Sequence, residues 1–228
     1  AGFDAVLFKP AAAWRVRWNT STDMPWPKDE PTMPNPPEGT AIDYYLKSAP
    51  TGPITLEILT PAGRLVRRYS SADPLPPAPT PATSTVPLYW YRPPQKLSAD
   101  AGVHRFHWDL RYQPLGDGGA GRGGLSIQAI PGNTAPSTGT PLVTPATYTV
   151  KLTVNGASQS QTMTVKQDPR VKTSALTLQN VYSLINAVYF GAIDARVAQD
   201  RARRLRDQIA ARLPPARAEV KTSLEAFD

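Results

Sequence analysis

The sequence predicts a mainly β fold, an antiparallel β-sandwich with Pro-rich wrapping segments, followed by a C-terminal α-helical hairpin. Three observations carry this. Between Val103 and Arg170 apolar and polar side chains alternate, as in VHRFHWDLRY and ATYTVKLTV, which is the period of a strand with one buried face. The chain holds 26 prolines in 228 residues, more than twice the ordinary ~5% usage. Proline presets φ and cannot donate to an interior ladder, so Pro-dense stretches read as extended segments between strands. After Asp168-Pro169 the apolar spacing changes from two to that of a helix.

Residues 1–40 form an N-terminal strand and a wrapping segment. AGFDAVLFKPAAA is a short apolar entry, and WRVRWNT is a first strand in which Trp14, Val16 and Trp18 share the core face. From Asp23 to Thr40 prolines exclude a helix, leaving a polyproline-like loop anchored by Met24 and Trp26.

Residues 41–170 make the sandwich. IDYYLK, with Ile42, Tyr44 and Leu46 on one face, ITLEILT and RLVRRYS read as a three-stranded meander with a Pro61-Ala62-Gly63 turn. Asp73 to Pro87 is a second Pro-rich excursion, long enough to cross from one sheet to the other, and LYWYRPP pairs briefly before Pro93 and Pro94 stop it. In VHRFHWDLRY, Phe106, Trp108 and Leu110 face the core, while Arg105, His107, Asp109 and Arg111 face water. Gly116 to Pro141 is a long loop with one alternating scrap, LSIQAI. ATYTVKLTV and SQSQTMTVKQ flank Asn155-Gly156, a pair that tolerates positive φ and is the strongest short-range hairpin signal. This hairpin and VHRFHWDLRY are expected in one sheet.

Residues 171–228 form the helical hairpin. From Leu178 the apolar positions Val181, Tyr182, Ile185, Val188, Tyr189, Ala192 and Ile193, then Leu205, Ile209 and Leu213, follow helical spacing until Pro214-Pro215. Val220, Leu224 and Phe227 mark a second short helix.

Formal charge is +7, but Lys and Arg are spread without a block of five or six, which argues against nucleic acid. Arg201, Arg203, Arg204 and Arg206 read as a solvated helix face. With no cysteine there is no disulfide framework, thiolate metal site or Cys nucleophile. No initiator Met, signal peptide or apolar run near the ~20 residues of a membrane span is present, so Ala1 reads as internal to something longer.

No residue is assigned to catalysis, to a cofactor or to a metal. His104 and His107 stand three apart in a strand and so point to opposite faces, where they cannot share a metal. His107 and Asp109 lie side by side with no Ser in a nucleophile-elbow context, and a salt bridge to Arg105 or Arg111 is their expected role. Gly119-Ala120-Gly121-Arg122-Gly123-Gly124 has no helix after it to cradle a phosphate. The acids form no spaced pair that sequence places across a cleft. Among the aromatics, Trp14, Trp18 and Trp108 are expected in the core, while Trp26, Tyr45 and Trp90 are the candidates for ligand or partner contact.

TLEILTPAGRLVRRYSS, GVHRFHWDLRY, PATYTVKLTVNG and MTVKQDPRV, with NPPEGTAIDYYLK before them, resemble the C-terminal region of exported bacterial proteins with sortilin-like or BNR-repeat, glycosyl-hydrolase-like β-propellers. The resemblance extends to the helical tail. It implies an immunoglobulin-like sandwich of the flagellar hook-cap type, placed after a propeller that holds any catalytic centre. One departure is Ala146, where the family pattern has Gly. The expected function is a non-catalytic accessory module of an exported (periplasmic, cell-surface or extracellular) protein. Its partner would be its own upstream propeller or another protein, with carbohydrate binding through exposed aromatics as the alternative.

Overall fold

The computed structural model describes residues 4–16, 27, 29–31, 39–75, 77–84, 87–88, 95–115, 140–212 and 226. Within them lie eight strands and one helix: β1 (Ala5–Leu7), β2 (Ala13–Arg15), β3 (Thr40–Leu46), β4 (Thr55–Leu59), β5 (Leu65–Ser70), β6 (Gly102–Trp108), β7 (Ala146–Val154), β8 (Ala157–Gln167) and α1 (Ala175–Arg212). The chain divides into two compact units, Ala1–Thr173 and Ser174–Asp228.

The strands form a three-stranded sheet, β1-β3-β6, and a five-stranded sheet, β2-β8-β7-β4-β5. Alternation decides which side chains are inside. Ile42, Tyr44 and Leu46 of β3, Leu56 and Ile58 of β4, and Tyr148, Val150 and Leu152 of β7 are all buried. Two edge-to-face aromatic contacts join the sheets, Tyr69 of β5 with Phe106 of β6 at 4.6 Å and Trp108 of β6 with Tyr148 of β7 at 5.9 Å. The chain changes sheet between β1 and β2, β2 and β3, β3 and β4, β5 and β6, and β6 and β7.

The β7–β8 hairpin is as expected, with Asn155 at φ 48° and Gly156 at φ 81° closing a ladder from Val154↔Ala157 to Ala146↔Val165. The Pro61-Ala62-Gly63 turn is also present, Gly63 taking φ 76°. Ala146 opens β7 without a positive φ, so the departure from Gly there leaves the strand intact.

Several expectations are corrected. β6 pairs with β3 and not with the β7–β8 hairpin, so the three strands of that stretch belong to two sheets. For the same reason the meander is broken: β3 lies in one sheet, and β4 and β5 in the other. The apolar entry is itself a strand, β1, and β2 joins β8 in parallel, so the larger sheet is mixed. VHRFHWDLRY stops at Trp108, because Leu110 takes φ 59° and turns the chain, leaving Arg111 as an isolated bridge to Leu142. Trp108 and Leu110 are nevertheless core. LYWYRPP, LSIQAI and the Gly119–Gly124 run lie largely or wholly outside the described residues.

Four glutamines act on sheet edges, one of them Gln161, which donates to Leu7 O at 3.2 Å on β1. A primary amide offers the same donor and acceptor as a peptide unit. Gln95 accepts from His107 N and donates to His107 O, both at 3.0 Å, on the β6 edge. Gln159 accepts from Leu7 N at 2.8 Å and donates to Ala5 O at 2.6 Å on β1. Gln113 donates its backbone N–H to Val66 O and accepts from Arg68 N at 3.2 Å on β5.

α1 starts one turn before the expected Leu178. Ser174 caps it, its hydroxyl accepting from Thr177 N at 3.2 Å while Leu178 N donates to Ser174 O at 3.0 Å. Among the described residues this is the only helix, so the hairpin is not seen. Val220, Leu224 and Phe227 lie outside them.

Candidate functional site

The outer face of the smaller sheet carries an apolar row that no single strand shows. Register sets Val6 opposite Tyr45 and Tyr45 opposite Val103, so three strands each contribute one side chain at the same level. Tyr45 and Val6 are partly exposed, and Val103 is 72% exposed. Two residues along β3, Arg105 donates from Nε and Nη2 to the two oxygens of Asp43, each at 2.8 Å. Those hydrogen bonds lower the Asp43 pKa despite some desolvation, with the charges of Arg105 and His107 adding to the effect. Arg105 is therefore paired with Asp43 rather than with Asp109, which instead accepts from Arg111 N at 3.1 Å. An apolar centre flanked by a charged pair has the anatomy of a contact surface.

The larger sheet presents a different face. Thr147 stands opposite Thr164, Thr149 opposite Thr162, and Thr153 opposite Ser158, the last two hydroxyls 2.8 Å apart. At one border Trp14 is 50% exposed, with the Lys166 ammonium 5.6 Å from its ring. This overturns its expected core position. β8 buries Met163 and Val165, and β2 pairs Ala13 with Val165, which puts Ala13 inside and Trp14 outside beside Lys166. Arg15 follows inward, its Nε donating to Val143 O at 2.7 Å. Trp18, Trp26 and Trp90 lie outside the described residues.

The groups considered for chemistry are held apart. His104 and His107 point to opposite faces of β6. The His104 Nε2 lies 2.7 Å from Asp100 O, and its ring is 5.2 Å from Tyr44. Burial pushes the Tyr44 phenol up to about 12, outweighing its 2.6 Å hydrogen bond to Ser98 O, and burial also raises Tyr69. Among the described residues no three His, Cys, Asp or Glu side chains gather as metal ligands would. A pocket of about 270 Å³ opens beside Asp4, Leu152, Asn155 and Gln159. Its two amides already serve the fold, Gln159 on β1 and Asn155 as acceptor for Thr51 N and Oγ1 at 3.1 Å.

Sequence reasoning missed Asp168, which closes β8. Its carboxylate accepts from Arg170 N at 2.9 Å and from Arg170 Nε and Nη2 at 2.9 and 2.7 Å. The side-chain and backbone hydrogen bonds from Arg170 pull its pKa down to about 2. A carboxyl lowered on folding stabilises the folded state above its unfolded value near 3.8, and that contribution fades as pH falls through about 2. Asp168→Asn keeps an acceptor but removes the charge. The stability gap between wild type and this variant is expected to be constant at neutral pH and to close across that window in pH-dependent urea unfolding. A gap independent of pH would show that the pair contributes nothing through charge.

Comparison with protein-family models, with curated proteins and with solved structures returned no match.

Proposed function

We propose that the chain is a non-catalytic accessory module of a larger exported protein, an immunoglobulin-like β-sandwich with a helical hairpin after it, which docks on its own upstream β-propeller or on another protein. The row Val6–Tyr45–Val103, flanked by Asp43 and Arg105, carries this reading. It places apolar surface where the sheet meets solvent, while Asp43 and Arg105 beside it are paired with each other. Export and the propeller rest on the resemblance of the strand motifs. The second arm of the hairpin rests on the spacing of Val220, Leu224 and Phe227 after Pro214-Pro215.

The test is binding of the chain to the separately produced upstream region of its parent protein, by surface plasmon resonance. Val103→Glu puts an unpaired charge in the row and is expected to weaken binding at least about tenfold, while the exposed position spares the fold. Unaltered affinity would remove this face from the interface, and no binding by wild type would remove the docking reading.

Trp14 favours a second reading, carbohydrate binding, because a half-exposed indole at the border of a hydroxyl-rich sheet face is a stacking platform for a sugar ring. A glycan array decides it. Binding by wild type that Trp14→Ala abolishes supports the reading, and an array blank for wild type ends it.

A further inference from the structure

Helix α1 is apolar on two opposite sides. Leu178, Tyr182, Tyr189 and Ile193 are sheltered, whereas Val181, Leu184, Val188 and Leu205 are exposed, Leu184 by 67% and Val188 by 65%. The first nineteen residues, Ala175 to Ile193, contain no charged side chain, and the remainder holds six arginines and three aspartates. A helix apolar on both sides needs a neighbour on each. The exposed side also has a regular spacing. Alternating steps of three and four run from Val181 through Leu184 and Val188, then through the small residues Gly191, Ala195, Ala198 and Ala202, to Leu205 and the partly sheltered Ile209. That is a heptad seam covering roughly 42 Å at 1.5 Å per residue.

We propose that this seam is the site of self-association, and that α1 pairs with α1 of a second copy in the antiparallel direction. Size and charge both select this arrangement. An antiparallel register that sets Leu184 against Ile209 of the second copy also sets Val188 against its Leu205, Gly191 against its Ala202 and Ala195 against its Ala198. Large side chains meet large ones at both ends, and small ones meet small ones at the centre, where the backbones approach closely. The flanking Asp194 then falls two residues from the level of Arg201 in the second copy, and symmetry repeats the pair. Parallel pairing would instead align the two Arg-rich halves and set Arg201 near Arg206 of the other chain, a like-charge contact. Antiparallel pairing lays each Arg-rich half over an uncharged one. The proposal is independent of the docking reading.

Because the chain has no cysteine, single replacements report the register cleanly. Leu184→Cys and Ile209→Cys are made separately, oxidised alone and then oxidised as a mixture, alongside light scattering of wild type. The expected result is a species of twice 24.7 kDa for wild type and a disulfide-linked dimer that forms in the mixture but not from either variant alone. Val188→Glu is expected to weaken dimerisation at least tenfold while leaving the far-ultraviolet dichroism and the thermal unfolding of the β unit unchanged. Cross-linking of Leu184→Cys with itself would overturn the antiparallel direction. A wild-type monomer at high concentration would overturn the proposal, whether residues 213–228 or a different protein covers the seam.

Discussion

Gly39→Ala is expected to cost about 2–5 kcal/mol. Gly39 stands just before β3 with φ 85°, and a Cβ built there would lie 1.8 Å from Trp108 O, 2.7 Å from Trp108 C and 2.9 Å from Asp109 Cα. The left-handed backbone alone costs an ordinary residue about 1–2 kcal/mol. Overpacking adds about 1–3 kcal/mol or more. Relief is hard here, because the obstructing atoms are backbone at the point where Thr40 pairs with Trp108 and the chain leaves β6 for its turn. Against a typical total of about 5–15 kcal/mol this is a large fraction. Urea unfolding followed by tryptophan fluorescence measures it, and an unchanged midpoint would mean that the two strands separate there without penalty. The same geometry explains why the NPPEGT stretch carries glycine at this position.

Trp108→Ala is expected to cost a similar amount, about 3–5 kcal/mol for an aromatic truncated in a core. Trp108 is fully buried, meets Tyr148 edge-to-face across the core, and donates its indole N–H to Arg111 O at 3.0 Å. It therefore joins the two sheets and fixes the turn that follows its own strand. Trp108→Phe separates these roles, since it keeps a ring but leaves the Arg111 carbonyl without that donor, which costs about 1–3 kcal/mol when buried. The expected order of stability is wild type, then Trp108→Phe, then Trp108→Ala, by urea unfolding with dichroism as readout. If the two variants were equally stable, the ring would contribute nothing beyond its hydrogen bond.

Much of this arrangement was legible in the residues, and the failures have a common cause. Alternation in β3, β4 and β7 gave the correct inner face, and Asn155-Gly156 gave the correct hairpin, because both signals are local. Alternation states which way a side chain points but not which strand lies beside it. The separation of β6 from the β7–β8 hairpin was therefore invisible. Trp14 failed on parity: in a strand of three residues hydrophobicity favoured the tryptophan as the inner residue, but pairing with Val165 gave the inner place to Ala13. Leu110 is core as its parity indicates, but the end of the strand before it was unreadable because nothing in Asp109-Leu110-Arg111 announces a positive φ. Of the candidate surface, Tyr45 was readable as an outward aromatic, yet its neighbours Val6 and Val103 come from strands far away in sequence. The Asp168–Arg170 pair sat in plain view two residues apart, but its importance depends on the burial of Asp168.

The glutamines on the sheet edges restrict how this module meets other proteins. Where an amide side chain already occupies the backbone of an outer strand, a foreign peptide cannot extend the sheet there without first displacing it. Recognition at those edges is thus closed to partners that bind through main-chain pairing, whose sequence requirements are loose. Away from those edges a partner reads the side chains on the sheet faces and on the helix, where each substitution changes what is recognised. Specificity at this surface is then set by residues that can change while the strands beneath them stay the same.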